Sequence, residues 1–299
     1  MVEVLSVRAP AKVNLALRIL EREESGFHQL ETLFLALEFC DVLRISPAGA
    51  GVSLSVRGPD LGPLDQNLVS RAARGFLERA DLTSGVEIQL EKRIPAKGGL
   101  GGGSSDAAAT LRGLQELHPG RLDSSSLVEL AGGLGADVPF FLSPSPLALG
   151  WRRGDRILPL PPLPSASLLL AIPPIGVGTP EAFGLMGRNR EGRSPLHVSR
   201  VLNPAQFSDW SGVAAFATND FEDVVIPASP LLGRLLDALR QTGPMLALLS
   251  GSGSALFAVY SDEAEAEASA VGLGEMFPDT SFHLTRTLEA FPAPIRVGG

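Results

Sequence analysis

Gly98-Gly99-Leu100-Gly101-Gly102-Gly103-Ser104-Ser105-Asp106 joins two segments of different periodicity. Before it, Val86-Glu87-Ile88-Gln89-Leu90 alternates with period 2 and runs into Ile94-Pro95, as a half-buried strand does. After it, Ala107, Leu111, Leu114 and Leu117 recur at helical spacing, and His118-Pro119-Gly120 ends the helix. In the order strand, glycine loop, helix, the free N–H groups of the first helical turn point at an anion, and glycine lets the backbone approach it. The stretch therefore reads as a phosphate cradle. The hydroxyls of Ser104 and Ser105 suit phosphate oxygens or a hydrated Mg²⁺.

Failed matches narrow the kind of cradle. No Lys follows the glycines where a Walker A loop needs one. A dinucleotide fingerprint fails because its third glycine position falls on Ser104 or Asp106. The hydrolase elbow G-x-S-x-G fails at Ser104 and at Ser252.

Upstream, Val13, Leu15, Leu17 and Ile19 alternate with Lys12, Asn14, Ala16 and Arg18, which puts Lys12 and Asn14 on one strand face. A polar turn over 21–26 leads to a second alternating run, Leu33 to Phe39, and Val52–Val56 forms a third. Residues 67–80 have a helical pattern. Another helix begins at Asp123 or Ser124 and stops at Gly132, Gly133 and Gly135. Next, Gly135-Ala136-Asp137-Val138-Pro139-Phe140-Phe141 sets one carboxylate in a tight apolar turn; by composition alone, an Asp there is more often a turn former or cap than a catalytic group. The Pro-rich run over 159–164 divides the chain, and we place domains at 1–160 and 161–299. Beyond it come a strand at 168–172, a Gly/Arg-rich loop at 187–194 and a helix at 230–241. An acidic helix at 262–270 and a last strand at 281–287 complete an α+β pattern. Ser250-Gly251-Ser252-Gly253-Ser254 reads equally as a second anion nest or a tight hairpin loop.

Composition sets outer bounds. With 44% hydrophobic residues the chain can bury a sizeable core, and its 33 Gly and 24 Pro stay below low-complexity levels. A net charge of −8 argues against nucleic acid held on a basic face and favours a monomer or homodimer. Cys40, the single cysteine, fits a reducing cytosol and reads as a small hydrophobe in a strand. Arg8, Lys12 and Arg18 interrupt any leader-like apolar run, and no stretch reaches membrane-spanning length; we expect a cytoplasmic protein with no membrane partner.

Three blocks together resemble the GHMP kinase superfamily: Pro10-Ala11-Lys12-Val13-Asn14-Leu15, the run from Pro95 to Ala108, and Ser250–Ser254. Gly26-Phe27-His28-Gln29-Leu30-Glu31-Thr32-Leu33-Phe34 and the block around Asp137 are similar to its branch that acts on a cytidine-diphosphate-linked methylerythritol. The resemblance spans nearly the whole chain. It implies a two-domain GHMP kinase fold, with a ribosomal-protein-S5-like N-terminal domain, a ferredoxin-like C-terminal domain and the site between them. It implies ATP-dependent phosphorylation of that small molecule's 2-hydroxyl, on the non-mevalonate route to isoprenoid precursors, with Mg²⁺ as the nucleotide complex and no separate protein-held metal.

By the same resemblance Asp137 is the general base and Lys12 the cation beside it. Asn14 reaches the substrate, Phe27 stacks on cytosine and His28 bonds its edge. Phe183, in Gly178-Thr179-Pro180-Glu181-Ala182-Phe183, forms the opposite face of that sandwich, and Thr179 is a polar contact. Asn67 lies near the adenine, and Pro95, Gly98, Gly99, Leu100, Gly101, Gly102, Gly103, Ser104 and Ser105 hold ATP. Relatives usually carry Gly at the positions of Lys97 and Arg152, which bears on the geometry of both loops; if position 97 needs positive φ, Lys97 strains its loop, and if not, its ammonium is free to contact a phosphate. Homoserine-type or mevalonate-type kinases share the glycine loop but need no nucleobase stacking. A nucleotide-binding module without transfer activity is the reading from another class.

Overall fold

The computed structural model describes residues 4–23, 28–59, 61–190 and 207–298. The alternating run around Lys12 lies within a far longer strand, β1 (Val4–Arg22), paired antiparallel with β2 (His28–Ala48). Register shifts between Pro10 and Lys12 and between Asn14 and Ala16 break strict alternation, so Ala16 is buried beside Leu15 and Leu17. Lys12 and Asn14 stay close together, with Nζ and Oδ1 in direct contact.

The first sheet runs β12-β1-β2-β4-β3, with β3 (Val52–Arg57) and β4 (Gly85–Glu91) parallel neighbours linked through α1 (Leu68–Arg79). The N-terminal half of β2 instead pairs with β5 (Leu147–Arg152), which pairs with β6 (Arg156–Leu160). Pro159 is tolerated because β6 pairs on one side only. On this sheet lie α1 and α2 (Gly102–Leu117), with α3 (Ser124–Leu134) against α1 and the short α4 (Val138–Phe141) against α2. Asp123 caps α3 as expected, its carboxylate accepting from Ser126 N at 2.7 Å. Gly132 and Gly133 remain inside α3, which stops only at Gly135.

The second sheet is antiparallel, order β11-β7-β10-β9, built from β7 (Ser167–Ile172), β9 (Leu246–Leu249), β10 (Leu256–Tyr260) and β11 (Ser281–Arg286). With helices α8 (Pro230–Gln241) and α9 (Glu263–Met276) between strands, this is the split βαβ arrangement of a ferredoxin-like domain. Three features depart from the sequence reading. Residues 187–190 are helical, as the end of α5 (Thr179–Arg190), while 191–194 of the expected loop lie outside the described residues. The last strand is β12 (Ile295–Val297), beyond the expected one. Both β12 and the two-residue β8 (Thr218–Asn219), near α6 (Trp210–Phe216) and α7 (Glu222–Ala228), return to the first sheet by pairing with β1.

β1 feeds three apolar clusters. Leu5 and Val7 pack with Ala72 and Phe76 of α1 and Leu111 of α2. Val13 and Leu15 meet Leu168, Leu170 and Phe257, which glue the two sheets together. Leu17 and Ile19 join Leu169, Tyr260 and Leu235 under α8. Each fully buried Leu or Ile contributes about 1.5–3 kcal/mol relative to exposure, so the strand that carries Lys12 is among the most firmly held elements.

Candidate active site

Lys12 leaves the bulge with its backbone N–H donating to Leu100 O at 2.9 Å, which ties β1 to the glycine loop. Its Nζ donates to Asn14 Oδ1 at 2.8 Å and lies 3.5 Å from Asp137 Oδ2. Thr32 Oγ1 gives its only proton to Ala16 O, so it must accept from Asn14 Nδ2 at 2.7 Å. That chain turns the Asn14 amide so that its oxygen faces Lys12. Asp137 occupies the N-cap position of α4 yet makes no capping hydrogen bond. Its side chain is 30% exposed against 5% for Lys12: a solvent-reachable carboxylate backed by a buried ammonium.

Two glycine loops close over this pair. Gly99 and Gly101 have φ of +75° and +70°, and each is backed so tightly that a side chain has no room. A Cβ on Gly99 would lie 1.9 Å from Ser250 O, and one on Gly101 2.8 Å from Lys12 Cγ. Ser250 Oγ donates to Gly99 O at 3.0 Å, and Ala255 N to Gly98 O at 3.2 Å. The S-G-S-G-S segment is thus the loop of the β9–β10 hairpin and a buttress for the first loop. On its other side Gly251 closes on Lys12, a Cβ there falling 3.3 Å from Nζ. Helix α2 begins at Gly102, so Gly102, Gly103 and Ser104 present N–H groups with no intrahelical acceptor, and its first turn has no acidic residue to repel an anion. Ser104 is partly exposed toward Gly135; Ser105 is fully buried, with its hydroxyl unpartnered.

Asn67 caps α1, its Oδ1 accepting from Val69 N at 2.9 Å, and the next residue, Leu68, adjoins Gly103. His28 and Phe183 stack with ring centroids 4.8 Å apart and 13° between planes. A base between them would need about 7 Å, two van der Waals contacts, so the pair is itself one stacked layer. Thr179 Oγ1 lies 3.1 Å from Ser252 Oγ. Phe27 lies outside the described residues. Lys97 and Arg152 do adopt positive φ, 60° and 66°. No helix among the described residues is long and apolar enough to cross a membrane.

A buried charge cluster beneath the glycine loop was not visible in the sequence. Lys92 Nζ donates to Asp41 and, at 2.9 Å, to Asp106 Oδ2, and a Cβ on Gly102 would lie 2.8 Å from that same Nζ. Asp41 Oδ1 accepts from the N–H of Ile94 at 2.8 Å. Burial pushes the Asp106 carboxyl up to about 8, against the pull of the Lys92 ammonium. The available signal was charge in apolar context: Asp41 follows Phe39-Cys40, and Lys92 directly precedes Arg93-Ile94-Pro95.

Fold and site together define a small-molecule kinase of the GHMP class. The family model described as GHMP kinases N terminal domain matches residues 67–144, and GHMP kinases C terminal matches 203–279. The chain is 37% identical over 270 residues to the 4-diphosphocytidyl-2-C-methyl-D-erythritol kinase of Salinibacter ruber, covering 88% of this chain and 93% of that one. It is 38% identical over 271 residues to the kinase of the same name from Deinococcus radiodurans, covering 90% and 89%. A crystal structure of 4-(cytidine 5'-diphospho)-2C-methyl-D-erythritol kinase superposes with TM-score 0.77 at 36% identity, covering 94% of this chain and 98% of that one. The chain belongs to the 4-diphosphocytidyl-2-C-methyl-D-erythritol kinases, within the GHMP kinases. Homoserine kinase from Cytophaga hutchinsonii, at TM-score 0.71 and 19% identity over 98% of this chain and 97% of that one, shares the fold alone.

Proposed function

We propose that this chain uses ATP to phosphorylate the 2-hydroxyl of 4-diphosphocytidyl-2-C-methyl-D-erythritol, with Asp137 as general base and Lys12 as its electrostatic partner. The carrying observation is that the partly exposed Asp137 carboxylate and the buried Lys12 ammonium stand 3.5 Å apart beside the open first turn of α2. Phosphoryl transfer is mostly positioning and charge stabilisation. Asp137 takes the hydroxyl proton as the oxygen forms its bond to the γ-phosphorus; the β–γ bridging P–O bond breaks and ADP leaves. Lys12 stabilises the developing alkoxide and keeps Asp137 oriented, while Asn14 fixes Lys12 and offers the substrate its remaining hydrogen-bonding capacity.

The N–H groups of Gly102, Gly103 and Ser104, the loop Gly98–Gly101 and the Ser104 hydroxyl hold the phosphates; Ser105, whose N–H donates to Gly101 O at 2.9 Å and whose side chain is buried, supports the turn from behind. A Mg²⁺ carried by the nucleotide would supply neutralisation of phosphate charge, beside the Ser104 hydroxyl. Pro95 and Asn67 set the rim near the adenine, Asn67 by fixing the α1 terminus. A cytosine hydrogen-bonded edge to edge with His28 lies in the His28 plane and so extends the same stack on Phe183, with Phe27 covering its other face and Thr179 at the polar end. We place the catalytic domain at 1–160 with 161–299 as its partner, and the working compartment in the cytoplasm.

An assay of ADP release with the cytidyl substrate, mevalonate and homoserine tests the assignment: only the first should turn over, and CDP should compete. Asp137→Asn should lower kcat by about 10²–10⁴ with ADP affinity kept; an unchanged rate removes Asp137 as base. Phe183→Ala should raise KM for the cytidyl substrate up to about tenfold, the worth of one aromatic stack, with KM for ATP unchanged.

A further inference from the structure

The hairpin loop Ser250–Ser254 places Gly251 against the Lys12 ammonium, and something outside the loop must hold it there. Its internal hydrogen bonds, Gly253 N to Ser250 O and Ser250 N to Ala255 O, both 2.9 Å, shape the loop but do not locate it on β1. Asn219 does. This buried residue sits in β8, paired parallel with Leu17 of β1, the strand that carries Lys12 and Asn14. Its Nδ2 donates to Leu249 O at 2.7 Å and to Gly251 O at 2.8 Å, while its Oδ1 accepts from Phe221 N at 3.0 Å. The amide's two protons and its oxygen are thereby all engaged, which sets its orientation without ambiguity.

Neighbouring residues fasten the same segment on both sides. Asp220 N donates to Leu17 O at 2.9 Å, and Asp220 Oδ2 accepts from Ile19 N at 2.8 Å. Glu222 Oε1 accepts from Leu249 N at 2.8 Å. Residues 218–222 therefore clasp β1 with one hand and the base of the hairpin loop with the other. We propose that Asn219 is a positioning residue for the transfer, holding Gly251 so that Lys12 keeps its place between Asn14 and Asp137. The inference rests on the roles given above to Lys12 and Asp137.

Asn219→Asp tests it in the full chain, because an isosteric oxygen then faces two carbonyl oxygens in place of two donated protons. A shift of about 1 Å at reacting groups costs on the order of 10²-fold, so kcat should fall roughly 30- to 100-fold. ADP affinity by calorimetry should stay within about threefold, since α2 is untouched. Gly251→Ala, whose methyl would meet Gly99 O at 3.2 Å as well as Lys12 Nζ at 3.3 Å and Asn14 Oδ1 at 3.4 Å, should lower kcat, and the double variant should lose no more than the worse single one. Multiplying losses, an unchanged kcat, or a weakening of ADP affinity and KM with kcat intact would each overturn the proposal. If Asn219→Asp fails to fold, Asn219→Ala removes both donors without adding charge and is read by the same outcomes. Lys12→Met separates the two readings: an active Lys12→Met enzyme sinks the role of Lys12 itself. An inactive one, beside a normal Asn219 variant, sinks only the clasp.

Discussion

Lys97 sits in left-handed backbone at φ 60°, and its aliphatic stem lies beside Gly176, with the side chain exposed. A non-glycine residue there costs about 1–2 kcal/mol, partly offset because glycine loosens the unfolded chain by roughly 0.5–1 kcal/mol. Lys97→Gly should therefore stabilise the protein by up to about 1 kcal/mol, read as a higher urea midpoint, with KM for ATP within twofold. A lower midpoint would mean that the Lys97 side chain makes a stabilising native contact that outweighs the strain. Asn67 presents the opposite case, a residue matched to its backbone. Losing its cap bond to Val69 N should cost about 1 kcal/mol in Asn67→Ala, and a rise in KM for ATP beyond that expected from instability would give the residue a direct nucleotide contact.

At the scale of elements, the junction of β4, the glycine loop and α2 joins chemistry to a pH response. Asp106, pushed up to about 8 by burial, keeps a proton in the fold that the unfolded chain releases above its ordinary value of 3.8. The folded state binds more protons across that window, so this group's contribution to stability is full below pH 3.8 and is lost as pH rises through about 8. His118 and His283, held below their usual range by burial, act with the opposite sign, because the unfolded chain protonates them first as pH falls. The difference between parent and Asp106→Asn isolates the carboxyl: the variant's urea midpoint should fall less between pH 5 and about 8, and parallel curves would place the dependence elsewhere. This junction also shows what a sequence carries. The strand, glycine loop and helix were legible because periodicity 2 and 3.6 flank the glycines, and Lys12 and Asn14 were legible as a pair through alternation. The Lys92 cluster, the buttress from Ser250 and the Asn219 clasp were not. Each depends on contacts across 14 or more residues of chain, up to 201 for Ile19 and Asp220, and no local period encodes such pairings. The Asp137 carboxylate is ambiguous for the same reason: turn, cap and base share one local sequence, and the observation that favours the proposed base, the Lys12 ammonium 3.5 Å away, arrives from β1.

The whole molecule opposes its own ligand. A chain of net charge −8 must bind a nucleoside diphosphate ester and a triphosphate, with the N–H groups of α2 and the buried Lys12 as the attractive elements proposed above. Long-range repulsion from surface carboxylates is screened over about 10 Å at 0.1 M salt, whereas hydrogen bonds and a buried ammonium are screened far less. Added salt therefore weakens the repulsion more than the attraction. Between 50 and 300 mM NaCl, KM for the cytidyl substrate should stay within about twofold or fall, the reverse of a site that relies on released counterions. The competing source of attraction is the basic hairpin end, where Arg152 and Arg156 line a concavity of about 790 Å³ with Trp151. If those guanidinium groups steer the substrate, KM rises steeply with salt and Arg156→Gln reproduces the rise at low salt. A flat or falling KM leaves recognition with the glycine loops, whose geometry is set by packing on β1 rather than by charge.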